Sequence, residues 1–127
     1  MRIAIPSKDD RGLESNIAMH FGRAPYYTYV DVDLEEKKIL GVETIKVPFE
    51  SHDPGNLPLF VKEHDGELVM AYGMGVRAQE FFNYMGIKVL TGVFGKVGDV
   101  VKALLEGKIY EIIEQDWKNK GDFEKSH

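Results

Sequence analysis

Apolar residues alternate with polar ones through much of the first half of the chain and recur every three or four positions through the second, so strands are expected first and helices later. "RIAIP" opens as a strand over residues 2–5 that Pro6 is expected to stop, and the polar "SKDDRGLESN" reads as a long surface loop. Aromatic and β-branched residues crowd "YYTYVDV" and return in "KKILGVETIKV", with an acidic, lysine-containing turn over 33–38 between them. That pattern predicts a hairpin.

The period changes at "SHDPGNLPLFVKEHDG". Asp53 is placed to cap a helix, Pro54 suits its first position, and Leu57, Phe60 and Val61 fall on one stripe, with Pro58 still in the tolerant first turn. "ELVMAYG" predicts a short apolar strand. "MGVRAQEFFNYMG" predicts a second helix with Ala78, Phe81, Phe82 and Met85 inward and Gly86 as its stop. "IKVLTG" is another strand, and "KVGDVVKALLEGK" a third helix whose stripe is Val97, Val100, Val101, Leu104 and Leu105, ended by Gly107.

The order β-β-β-α-β-α-β-α predicts an α/β protein. Three strands without intervening helices form an antiparallel meander, and the later strands join by right-handed parallel crossovers. The result is a three-layer α/β/α arrangement around a mixed five-stranded sheet, an order shared by ribonuclease H-like folds. Beyond Gly107, "IYEIIEQDW" fits a short helix or an added edge strand equally well, and "KNKGDFEKSH" is polar enough to be disordered. One domain over 1–108 with a partly disordered C-terminal extension over 109–127 is expected.

Composition narrows the chemistry. With 127 residues, 43% hydrophobic and 29% charged, one self-sufficient core is expected. A net charge of −5 with the basic residues scattered argues against a nucleic-acid partner, which needs Lys and Arg gathered on one surface. No apolar stretch approaches the ~20 residues that span a bilayer, and no leader pattern opens the chain, so a cytoplasmic protein with no membrane partner is expected. The absence of cysteine removes thiolate nucleophiles, disulfides and thiolate-ligated metal sites, leaving His20, His52, His64 and His127 as the only imidazole ligands.

Few residues then carry chemistry. The two-metal nuclease reading of the strand order lacks its acids, because neither "RIAIP" nor "LVMAYG" offers a carboxylate. Gly73 and Gly75 lie between a strand and a helix start, where free N–H groups and the helix dipole attract an anion, and Arg77 adds charge; a tight turn needing small residues explains the glycines about as well. His20 lies in a loop with the soft thioether of Met19 beside it. His52 directly precedes a helix start, where it serves either a capping turn or a ligand at the same end of the sheet. His64, at a helix C-terminus, is explained by the dipole.

"HFGRAPYY", "SHDPGNLP" and "GMGVRAQEFFNYMGIKV", in that order and at these separations, resemble the dinitrogenase iron-molybdenum cofactor biosynthesis family, which includes NifX, NafY and the C-terminal region of NifB. The resemblance covers roughly residues 1–108. It implies a ribonuclease H-like fold without nuclease activity and a non-enzymatic carrier of an iron-sulfur or iron-molybdenum type cluster, transiently bound and passed between donor and acceptor proteins. Carried over residue by residue, it implicates His20 of the H-F-G motif with Gly22 and Arg23, His52 before the P-G pair, and Gly73, Gly75 and Arg77. His20 and His52 would be the metal ligands, with Phe21 as the packing anchor beside them.

Such a site needs few protein ligands, because the cluster brings its own sulfides. Two other readings stand beside it. The same glycine turn and Arg77 could serve a small phosphorylated or carboxylated ligand, or an enzyme with His20 as its acid-base group. Alternatively, aromatic residues such as Tyr26, Tyr27 and Tyr72 could meet a protein partner.

Overall fold

The computed structural model describes residues 1–48 and 55–109. Five strands form one sheet, β1 (Arg2–Ser7), β2 (Tyr26–Asp33), β3 (Lys38–Lys46), β4 (Leu68–Met70) and β5 (Lys88–Leu90). Three helices connect or follow them, α1 (Asn56–Glu63), α2 (Val76–Tyr84) and α3 (Val97–Leu105). The spatial order is β3-β2-β1-β4-β5, with β1–β2 and β2–β3 antiparallel and β1–β4 and β4–β5 parallel. The mixed five-stranded α/β architecture expected from the pattern is present.

Alternation along the strands divides the core into two layers. Ala4, Tyr27, Tyr29, Val69 and Ala71 pack under α1 and α2 with Leu57, Phe60, Val61, Ala78 and Phe82. On the other face Ile3, Ile5, Val30, Val32 and Met70 pack under α3 with Val97, Val100, Val101 and Leu105. The central strand β1 is therefore buried on both faces.

Several expected boundaries move. Pro6 does not stop β1: the strand runs to Ser7, and Pro6 pairs with Tyr27. The parallel partner β4 reaches only Ala4 of β1, and the Pro6 carbonyl instead accepts the Ala18 N–H at 2.9 Å. A residue's N–H and C=O point to the same side of its strand, so the donor Pro6 lacks would face the side where β4 has already ended.

Gly55 caps α1 and Asn56 is its first residue, so the expected start at Asp53 and Pro54 is displaced; those two lie outside the described residues. Pro58 is then the third helical residue, still within the turn whose N–H groups have no helical acceptor. On α2 only Ala78 and Phe82 are fully buried, and Phe81 is 36% exposed. Leu104 of α3 is half-buried. The helices end where expected, with Gly86 and Gly107 at positive φ.

The segment "IYEIIEQDW" beyond Ile109 and the polar tail after it lie outside the described residues, as do His52 and His127. Close packing fixes two glycines: a Cβ on Gly66 would lie 2.5 Å from Val61 Cγ1, and one on Gly98 would lie 3.0 Å from the Leu13 carbonyl oxygen. Among the described residues no helix is long and apolar enough to cross a membrane.

Candidate functional site

The ends of β1, β4 and β5 open onto one rim of the sheet, and three loops gather there. In parallel α/β sheets this carboxyl edge is where ligands bind. The loop after β1 returns to the rim through the Ser7–Ile17 bridge, the Lys8 N–H on the Asn16 carbonyl at 3.0 Å, and the Ala18 N–H on Pro6. It is tied to the loop after β5 by the Asn16–Lys96 bridge and by the Ile17 N–H on the Gly95 carbonyl at 2.8 Å.

His20 comes next. It pairs with Gly73 in a parallel bridge, and the Phe21 N–H donates to the Gly73 carbonyl at 3.3 Å. Phe21 then turns inward, 6% exposed, with its ring 5.5 Å from Phe82 and 6.2 Å from Tyr27, both edge-on. The anchoring expected of Phe21 is thus built into the core beneath α2, and the His20 side chain stays exposed beside it. Phe21–Arg23 form one 3-10 turn, closed by the Arg23 N–H on the His20 carbonyl at 3.1 Å.

Gly73 lies two residues before Gly75, the residue that caps α2 in extended backbone without a side-chain cap. The first N–H groups of α2 therefore open onto the same rim as His20. The Gln79 amide donates to the Met74 carbonyl at 3.0 Å and steadies the approach to the helix.

Three glycines meet here for different reasons. A Cβ on Gly73 would come within 3.3 Å of the Met19 carbonyl, so the bridge to His20 needs a small residue. Gly22 and Gly75 have neither positive φ nor any heavy atom within 4 Å of an added Cβ. Neither backbone strain nor local packing explains glycine at those two positions.

The electrostatics of the rim are cationic at Arg23 and Arg77. Both are exposed, and neither forms an ion pair with an acidic side chain among the described residues. Lys96 differs, being paired with Glu14 at 3.1 Å.

Of the expected site residues, the structure brings His20, Gly22, Arg23, Gly73 and Gly75 to one rim and places Arg77 in the first turn of α2. His52 lies outside the described residues. His64 lies elsewhere, capping the C-terminus of α1, with Nδ1 2.8 Å from the Phe60 carbonyl and its own carbonyl accepting from Arg2 Nε at 2.8 Å. Among the described residues no group of three or more His, Asp or Glu side chains is arranged to hold a metal ion.

Sequence reasoning missed Phe94. It is 48% exposed, stands edge-on to Tyr72 at 6.4 Å, and walls the rim between Gly92 and Gly95, both at positive φ. The available signal was a large aromatic residue between two glycines directly after a strand. Met19, 47% exposed, and Val76, 70% exposed at the start of α2, are further apolar side chains open here.

A search of the curated proteins gave no significant match. Among solved structures, the protein designated PH0822 is 47% identical, with a TM-score of 0.83 over 92% of this chain and 99% of its own. A putative NifB protein from Thermotoga is 25% identical, with a TM-score of 0.65 over 84% of this chain and 89% of its own. The apo form of the orange protein from Desulfovibrio gigas, 21% identical with a TM-score of 0.71 over 84% of this chain and 88% of its own, shares the fold. The model of the family described as dinitrogenase iron-molybdenum cofactor matches residues 1–107, and the chain belongs to that family.

Proposed function

We propose that the protein is a non-enzymatic carrier that holds a preassembled metal-sulfur cluster, of the iron-sulfur or iron-molybdenum type, at the rim where His20 meets Gly73. The family supports cluster chemistry, and the likeness to a putative NifB protein supports the same context. The observation that carries the reading is the donor set. One exposed imidazole stands beside open glycines, unpaired guanidinium groups and a helix N-terminus, with no cysteine and no three-ligand cluster among the described residues.

That set is poor for a bare cation, which needs several protein ligands, and suited to an anionic object that brings its own sulfides. His20 would supply one bond to metal. Arg23, Arg77 and the first N–H groups of α2 would balance negative charge, the helix end contributing on the order of 0.3–1 kcal/mol. Gly22 and Gly75 leave the cargo room to approach backbone. His52 belongs to this proposal through its motif and is the second candidate ligand. Few bonds make release easy, as a carrier between donor and acceptor proteins requires.

The test is anaerobic incubation of the purified protein with an iron-molybdenum or precursor cluster, then gel filtration with iron and molybdenum analysis. Co-elution of iron with protein at a fixed ratio supports the proposal. A folded protein that elutes free of iron, yet binds a small phosphorylated or carboxylated compound at the same rim, replaces it with the small-ligand reading.

A further inference from the structure

We propose that the outer face of α2 seats a second copy of this chain, packed antiparallel about a twofold axis, so that each copy brings Tyr84 to the rim of the other. α2 exposes three large apolar side chains, Val76 at 70%, Phe81 at 36% and Tyr84 at 89%, whereas α3 exposes none and α1 only Leu59. Arg77, Glu80, Phe81 and Tyr84 follow the i, i+3, i+4, i+7 spacing of one helical stripe, with Val76 one turn before Glu80. The stripe faces away from the core, which α2 meets through Ala78 and Phe82.

The charges of the stripe select the occupant. Arg77 and Glu80 are the charged residues of α2, one of each sign. Neither has an ion pair among the described residues, although their i, i+3 spacing allows one between them. A stripe with one charge of each sign is complementary to its own copy turned through a half-rotation, as an isologous contact requires. The flank on α1 carries one exposed charge of each sign as well, Glu63 and Lys62, whose Nζ donates to the Met85 carbonyl at 3.3 Å. Antiparallel helices also set opposite dipole ends side by side.

One register satisfies those charges. With Arg77 opposite the partner's Glu80, the twofold axis sets Val76 opposite the partner's Phe81, because paired positions run in opposite directions along the two helices. A register centred on residue 80 would instead bring the two carboxylates together. The groove of about 340 Å³ lined by Glu80, Phe81 and Tyr84 then receives the partner's Val76 and Arg77. The same register carries Tyr84 past the start of the partner's α2, toward the partner's Gly75 and Gly73. Gly75 has no atom of its own chain within 4 Å of an added Cβ, which leaves the floor open beneath an incoming ring.

One helix face per copy makes a small interface, below about 1,200 Å² in total, the class of weak and reversible contacts. The dimer therefore forms with rising concentration and needs no cargo.

Sedimentation equilibrium of the full-length protein without any cluster, up to about 1 mM, tests this. Wild type should move from monomer toward dimer as concentration rises. Glu80→Arg sets like charges opposite each other and should weaken association by about tenfold or more, with the circular dichroism of the wild type. Arg77→Glu combined with Glu80→Arg should restore association, and Leu40→Asp, on the exposed side of β3, should leave it unchanged. Four outcomes overturn the proposal: wild type that stays monomeric throughout, association indifferent to Glu80→Arg, no recovery in the charge-swapped double variant, and dissociation by Leu40→Asp, which would move the contact to the sheet edge. Cluster retention enters none of these readouts, so the dimer and the carrier role stand or fall separately.

Discussion

His20 and Gly73 lie side by side in a parallel backbone bridge at the carboxyl edge of the sheet, and Phe21, the next residue, is anchored against Phe82. One side chain is held out by the burial of its neighbour. The two should therefore separate cleanly on mutation. Phe21→Ala removes a buried ring and is expected to cost about 3–5 kcal/mol, while His20→Ala, exposed and without a core role, should change stability by no more than about 0.5 kcal/mol. Urea unfolding of both variants checks this; a large loss in His20→Ala would make the histidine structural.

Gly22→Ala should give opposite signs in two assays. Its backbone does not require glycine and nothing lies within 4 Å of the new methyl, so the folded state gains about 0.4–1 kcal/mol through the stiffer unfolded chain. The methyl would project into the space assigned to the cargo and weaken cluster retention. A more stable variant with undiminished retention would place the cargo away from residue 22.

Among the described residues, the buried hydroxyls of Tyr27 and Tyr29 have no hydrogen-bond partner. Tyr27→Phe should accordingly be neutral or stabilising by up to about 1 kcal/mol, since the fold already bears the desolvation of an unmade bond. A loss above about 1 kcal/mol on thermal or urea unfolding would show that the hydroxyl has a partner.

The same burial fixes an alkaline limit. Desolvation raises both phenols above their ordinary range, Tyr27 further raised by Tyr29, and for Tyr29 the nearby Arg2 opposes the shift without cancelling it. A folded-state value above the unfolded one means the contribution is complete below about pH 10, where the unfolded phenol begins to ionise, and is lost as pH rises toward the folded value. Wild type should lose stability above about pH 10, and Tyr27→Phe should lose less. Equal alkaline losses in the two proteins would contradict this.

Much of this architecture was legible in the chain because alternation and 3.6-residue periodicity report which faces are buried. The hairpin, the three helices and their glycine stops follow from that signal. Pro6 misled because a proline's cost depends on whether a neighbouring strand needs its donor, and β4 ends before it does. Phe81 misled because a residue at the flank of a helical stripe is buried only if a neighbour covers it. In the site, the adjacency of His20 and Gly73, 53 positions apart in sequence, is a tertiary fact that no local pattern encodes. Phe94 went unnoticed because its role depends on which loop lies beside it.

The central claim is tested most directly by anaerobic titration of wild-type and His20→Ala protein, matched for folding, with an iron-molybdenum or precursor cluster, followed by gel filtration and iron analysis. Wild type should retain cluster iron, and His20→Ala should retain markedly less. Equal iron on both proteins, or none on well-folded wild type, would contradict the account.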